Sequence, residues 1–404
     1  MSRGTETTDR YLFAQNIAEL QKQAGVERDV AELVVAHARL CADSRKPAEF
    51  YSSADSPIPW NFALQKLLER NPDIDPRAQQ FLAAYNRAMH ARRLPTIYNK
   101  EHLAARLDVT LKQLNWLAYG ADRYRTFYIP KANGEPRRVD EPAEKLKTAQ
   151  RWILRRILDK LPVYRNVHGF RRRRSILTNA RKHLLRQVVV RIDLQEFFPT
   201  LTFRQARKVF LRAGYPFSVA NVMANLCSRE GVLPIGASTS PALANLICRK
   251  LDKRLWSLAK KTGFRYTRYA DDLVFSSSDR RFASLVPFFK QVIVEEGFRV
   301  NEKKLAILRR NSCQKVTGIV VNRKPNVARA ESKWIRAVVY NCRKNGVQAE
   351  FRKWRERMAK DGREAPDDTG KFGRQLAGRI AFIRHIHPQR GQELWEQFRQ
   401  IDFA

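Results

Sequence analysis

The spacing of apolar positions changes character along the chain. Up to about residue 95 it is helical, as in "IAELQKQAGVERDVAELVVAHARL", broken by the Pro/Ser stretch "SSADSPIPW". A second helical run, "AQQFLAAYNRAMHARR", leads to Pro95, and "KEHLAARLDVTLKQLNWLAYG" predicts further helix. "YRTFYIPKANGEPRRVDEP" predicts a hairpin around Asn133-Gly134, and "AEKLKTAQRWILRRILDKL" an amphipathic helix. From 166 to about 310 strands and helices alternate, the pattern of a mixed α/β core. The remainder is basic and mostly helical, with an exposed loop expected at "GREAPDDTGK".

Composition narrows the function classes. The 404 residues have room for two or three domains, and a 44% hydrophobic content is that of a globular protein. Lys and Arg number 77 against 40 Asp and Glu, a net charge of +37. Such a surplus favours a polyanionic partner, because each neutralised phosphate releases condensed counterions. The basic residues are spread over the whole length and no apolar run reaches membrane-spanning length, which argues against a membrane partner. "MSRGTETTDRYLFAQ" lacks the apolar core of a signal peptide. The five cysteines are scattered, without CxxC spacing, which suits a reducing cytoplasm and disfavours zinc or a disulfide framework. Nucleic acid is the expected partner.

One segment carries the chemistry. In "TRYADDLVFSSS" two aspartates, Asp271 and Asp272, stand between two strand-like runs. Asp is common in turns, so a solvated turn is the plain reading. The partly buried flanks make that expensive, since an uncompensated carboxylate pair there loses its hydration. A third carboxylate, Asp193, ends the strand signal of "QVVVRIDLQEFF", and the Gly/Pro-rich "GVLPIGASTSPALANL" lies between them. Three such carboxylates could converge on two divalent cations about 3.5–4 Å apart, which would remove the repulsion.

These pieces, in this order, resemble the reverse transcriptases. "RYADD" is similar to their palm signature, "RIDLQEFFPTL" to the strand bearing their first catalytic aspartate, and "LPIGASTSPALAN" to their LPQG-x-x-TSP-x-x-N loop. "NARKH", Asn179 to His183, matches the NAxxH motif of the retron enzymes, and Val316-Thr317-Gly318 matches their VTG motif. By themselves, Asn179 and His183 could equally be a polar helix face, and Val-Thr-Gly a strand ending in a turn. The resemblance implies an α/β (α+β) right-hand polymerase fold. Its expected parts are an N-terminal helical extension (1–95), fingers and palm (96–310) and a basic helical thumb that binds RNA (311–404).

It also implies roles. Asp193, Asp271 and Asp272, with the Leu194 carbonyl, would hold two Mg2+ ions, an all-oxygen set suited to that metal. Lys304 aligns with a lysine that protonates the departing pyrophosphate, with Lys303 leaving the register open. Lys131 and Arg137 would clamp the incoming dNTP triphosphate. Phe198 stands where the family has the gate against a ribose 2′-hydroxyl; a core phenylalanine beside Phe197 is the alternative. Ile235 and Gly236 belong to the nucleotide-binding loop. Ile235 replaces the family's Gln and Ser238 a common Pro, which puts rate, fidelity or substrate preference in doubt.

Arg171, Arg172, Arg173 and Arg174 precede the NAxxH motif. With Asn179, His183, Val316, Thr317 and Gly318 they are the residues expected to contact RNA. The thumb stretches "ESKWIRAVVYNCRKNGVQAEFRKWRER" and "KFGRQLAGRIAFIRHIHP" mix bases with aromatics as RNA binders do. The retron resemblance further implies priming from a guanosine 2′-hydroxyl of a cognate noncoding RNA, a branched RNA–DNA product, and antiphage defence with a separate effector protein. A group II intron maturase or an abortive-infection polymerase would share the palm motifs. A non-catalytic RNA scaffold is disfavoured because all three carboxylates and the lysine persist.

Overall fold

The computed structural model describes residues 76–130, 135–362 and 364–403. Residues 1–75, and Lys131 with the Asn133-Gly134 turn, lie outside them. The chain divides into two compact units, each assembled from separated stretches.

Among the described residues, the first unit comprises those from Pro76 to Phe127, Val139–Val163 and Phe198–Cys248. It is mainly helical: Pro76–Ala91, Lys100–Arg106, Leu111–Tyr119, Glu144–Arg156, Phe203–Ala213, Phe217–Leu226 and Ser240–Ile247. Two of these helices start at reciprocal capping boxes, Thr110 with Gln113 and Thr202 with Gln205. Strands β1 (Tyr124–Pro130) and β2 (Pro136–Pro142) form a two-stranded sheet, as the hairpin pattern predicts, with its base in this unit. Gln150 ties the interior together. Its amide donates to the Tyr124 hydroxyl and the Leu226 carbonyl, both at 2.9 Å, and accepts from the Ser238 N–H at 3.3 Å.

The second unit comprises Tyr128–Arg138, Tyr164–Phe197 and the chain from Arg249 onward. Its centre is an antiparallel sheet in the order β4 (Arg265–Tyr269), β5 (Asp272–Ser277), β3 (Val188–Asp193), β6 (Ala306–Arg309). The β-branched run Val188-Val189-Val190 is fully buried, as befits a strand covered on both faces. One face carries Phe275, stacked on Phe289 of helix Val286–Glu295 with ring centroids 4.2 Å apart. The other carries Val189 and Val274, which join the core of helices Arg329–Asn345, Val347–Lys360, Thr369–Ile386 and Pro388–Phe398. The aromatic and basic residues of those helices are partly structural: Trp334 stacks on buried Trp354 at 4.5 Å, with the Arg357 guanidinium 3.8 Å above Trp334. A small hairpin, β7 (Lys315–Val316) and β8 (Ile319–Val320), turns through Thr317 and Gly318 at φ 47° and 83°. Two consecutive positive φ values match a two-residue turn of the kind that follows the strand twist. Among the described residues no helix is long and apolar enough to cross a membrane.

Candidate active site

Period two and the antiparallel register bring the carboxylates together. Asp193 is the register partner of Asp272, so the two share a face at the end of the central pair β3 and β5. Asp271 belongs to the turn between β4 and β5, where Ala270 takes a left-handed φ of 57°. The Leu194 N–H donates to the Asp271 carbonyl at 3.0 Å, tying the end of β3 to that turn. Asp193 is further held by Asn301, whose backbone N–H donates to its carbonyl at 2.8 Å and whose amide donates to Oδ2 at 3.3 Å. Lys304 Nζ donates to Asp193 Oδ1 and Oδ2 at 3.3 and 3.1 Å. The sequence left the choice between Lys303 and Lys304 open; Lys304 is the one that meets a carboxylate.

The electrostatics are those of acids short of counter-charge. Burial pushes the Asp272 carboxyl up to about 6 against the pull of Arg191, with Asp271 and Asp193 adding repulsion. The Arg191 Nε lies 3.7 Å from Asp272 Oδ1, an ion-pair distance too long for a hydrogen bond. Asp271 is also raised, first by burial and then by Asp193, while Lys304 and Arg137 pull it down. Among the described residues no three His, Cys, Asp or Glu side chains close onto one point as a metal cage does. Asp193 is turned instead toward the Lys304 ammonium. The donor set nonetheless fits a hard divalent cation: three carboxylates in one corner, two of them destabilised as anions.

The other expected residues fall into distinct settings. Arg137 is exposed, and its charge reaches Asp271 within the second unit. Phe197 is buried, its ring 6.1 Å from that of Phe298, whereas Phe198 is half-buried and belongs to the first unit. In that unit the Ile235 carbonyl accepts from the Asp140 N–H at 2.6 Å. Gly236, at φ 116°, lies so close that a Cβ there would sit 2.6 Å from the Asp140 carbonyl oxygen. Of the four arginines, Arg172 and Arg173 are exposed, while Arg171 donates to the Tyr164 and Val167 carbonyls at 2.8 and 3.2 Å. Arg171 is thus partly a structural residue of its loop.

The NAxxH and VTG residues differ most from expectation. Asn179, His183 and Val316 are fully buried, so their side chains are not on the surface, whereas Thr317 is half-buried and Gly318 exposed. His183 uses both ring nitrogens, 2.7 Å each from Ser276 Oγ on β5 and Thr267 Oγ1 on β4. Burial, reinforced by nearby basic groups, lowers its pKa to about 3 and keeps the ring neutral. Thr317 Oγ1 donates to the Ile176 carbonyl at 3.2 Å, joining the VTG turn to helix Ile176–Ala180, which carries Asn179. The reason is geometric. A helix that short has no free face once strand β4 and the β7–β8 hairpin pack against it. His387 Nε2 lies 2.8 Å from Asn326 Oδ1, while His385, two residues earlier, is exposed. Sequence reasoning missed Arg191 and Asn301. Arg191 was recoverable, because it stands two residues before Asp193 and therefore on its face of the strand.

Sequence comparisons relate the chain to known proteins. Residues 129–321 match the family model described as "Reverse transcriptase (RNA-dependent DNA polymerase)". The chain is 35% identical to the Retron Mx162 reverse transcriptase of Myxococcus xanthus, over 76% of this chain and 68% of that one. It is 37% identical to the Retron Ec86 reverse transcriptase of Escherichia coli, over 65% of this chain and 84% of that one. The solved structure of Candida albicans telomerase with a telomeric RNA fragment matches at 8% identity over 81% of this chain and 73% of that one, with a TM-score of 0.40. The chain belongs to the retron reverse transcriptases, RNA-directed DNA polymerases of right-hand fold that work on an RNA template and depend on a divalent metal ion.

Proposed function

We propose that this enzyme binds a cognate noncoding RNA, primes from a guanosine 2′-hydroxyl within it, and copies part of it into multicopy single-stranded DNA joined through a 2′,5′ branch. The observation that carries the site reading is the pairing of Asp193 with Asp272 beside Asp271, with Lys304 on Asp193. Asp193, Asp271, Asp272 and the Leu194 carbonyl would hold two Mg2+ ions. When bound, these supply an activated attacking hydroxyl and charge stabilisation on the leaving pyrophosphate. Asn301 and the β3–β5 register hold Asp193 in line with Asp272, and Arg191 steadies Asp272. Lys304, held on Asp193, would deliver a proton to the leaving group. Lys131 and Arg137 would grip the triphosphate of a dNTP.

Phe198 would exclude a ribonucleotide by clash, and Ile235 and Gly236 would shape the nucleotide-binding loop. In this reading residues 96–310 form fingers and palm and 311–404 the thumb, with 1–95 as an N-terminal extension. Exposed Arg172 and Arg173 are the direct RNA contacts favoured near the NAxxH motif, with Arg171 and Arg174 beside them. Asn179, His183 and Val316 would support that RNA surface from within, and Thr317 and Gly318 would border it. The RNA–DNA product would serve antiphage defence together with a separate effector protein.

The test is expression of the protein with its upstream genomic segment, followed by denaturing gels of small nucleic acids. A discrete DNA that shortens with RNase or debranching enzyme, and is lost in an Asp271→Asn/Asp272→Asn variant, is the expected result. Extension of a primed RNA template without any such DNA would leave the polymerase and remove the branched product. An active double variant would remove the site assignment.

A further inference from the structure

Strand β4 carries a charged residue at a core position. Arg268 is fully buried, and so is Asp252 on helix Arg249–Thr262. The two form a fork: Arg268 Nε donates to Asp252 Oδ1 at 2.9 Å and Nη2 to Oδ2 at 2.7 Å. The Tyr266 hydroxyl also donates to Asp252 Oδ1, at 2.8 Å. Replacing a buried ion pair by well-packed apolar residues is commonly neutral, so stability alone does not account for this one.

What the pair touches next is more informative. Arg268 Nη1 donates to the Ala270 carbonyl at 3.0 Å. Ala270 is the left-handed residue immediately before Asp271, a conformation that a residue with a Cβ adopts only when its surroundings hold it there. Behind the turn, Gly169 approaches so closely that a Cβ there would lie 2.5 Å from the Ala270 nitrogen. The strand is held on the same side, because Arg268 exchanges backbone hydrogen bonds with Asn166 and His168 at 3.0 and 2.8 Å. Lysine could neutralise Asp252 but could not make the fork and reach the Ala270 carbonyl together.

We propose that Arg268 and Asp252 are positioning residues for DNA synthesis: the guanidinium, oriented by Asp252, holds the Ala270 turn and through it the carboxylates of Asp271 and Asp272. This rests on the role given above to those two aspartates. The experiment compares Arg268→Lys and the apolar double variant Arg268→Met/Asp252→Leu with the parent on a primed RNA template. Rates are taken per folded molecule, with the folded fraction read by circular dichroism. A Phe289→Leu core variant serves as a control for lost stability. The expected result is a kcat lower by about ten- to a hundred-fold in both variants, with the KM for dNTP moved by less than about three-fold. The control should keep its kcat.

A kcat within about two-fold of the parent in either variant would overturn the inference, as would activity that falls only in step with the folded fraction. An Asp271→Asn variant in the same assay separates the two readings. If it stays active, the aspartate assignment falls. If it is inactive while Arg268→Lys is unimpaired, only the positioning role falls.

Discussion

His183→Ala tests whether the NAxxH histidine acts from inside the protein. The ring joins two strands by hydrogen bonds to Thr267 and Ser276, hydroxyls that are themselves buried. Removing it orphans both, at roughly 1–3 kcal/mol each, and leaves a cavity that adds to the loss. A destabilisation of about 3–6 kcal/mol is expected, a large share of the roughly 5–15 kcal/mol that holds a typical domain folded. Urea unfolding followed by circular dichroism measures it, alongside fluorescence anisotropy of a labelled cognate RNA at a temperature where the variant stays folded. The expected outcome is a clear fall in the unfolding midpoint, with RNA affinity changed little for the folded fraction. A midpoint shift worth less than about 1 kcal/mol, together with a collapse of RNA affinity, would refute the reasoning and return His183 to the RNA surface.

Acid should weaken the fold through three buried histidines. Burial, with neighbouring cations, lowers His183 to about 3 and His102 and His168 to about 4, below the value near 6.5 of an unfolded chain. The unfolded state therefore binds protons first. Their contribution is fully present above about pH 6.5 and is lost as pH falls toward 4, by roughly 1.4 kcal/mol per pH unit for each residue. Urea midpoints at pH 7.5 and 5.5 check this, and equal midpoints would contradict it. Gly236→Ala should destabilise the first unit by about 1–3 kcal/mol, because the new Cβ meets the Asp140 carbonyl at a left-handed φ; an unchanged melting temperature would exclude the clash. Lys304→Ala should lower kcat by about 10²- to 10⁴-fold if Lys304 is the proton donor, while Lys303→Ala leaves it near the parent value; equal effects in single-turnover assays would reject the assignment.

Much of the candidate site was legible in the sequence because its information is local. Asp193 closes a β-branched strand, and the Asp271-Asp272 doublet interrupts two strand-like runs. Residue type and spacing were enough to single out the three carboxylates as candidates. The pairing that makes them a site was not local. Asp193 meets Asp272 only because the antiparallel register of β3 and β5 sets the two opposite each other. Lys304 was separable from Lys303 only once one of them reached Asp193.

The buried polar residues were decided by tertiary structure alone. Asn179 and His183 read as a polar helix face, since spacing along a helix says which residues share a side but not what packs against it. The β4–β5 strands bind His183 and the VTG turn joins the helix of Asn179, so both side chains of the motif are buried. Arg268 looked like one more basic residue in a basic chain, yet folding carries it into the core beside Asp252. Local patterning determines which groups the chain can offer and the order in which it offers them. Long-range packing, through sheet register and the loss of solvent around each charge, determines which of them meet each other and which meet the substrate.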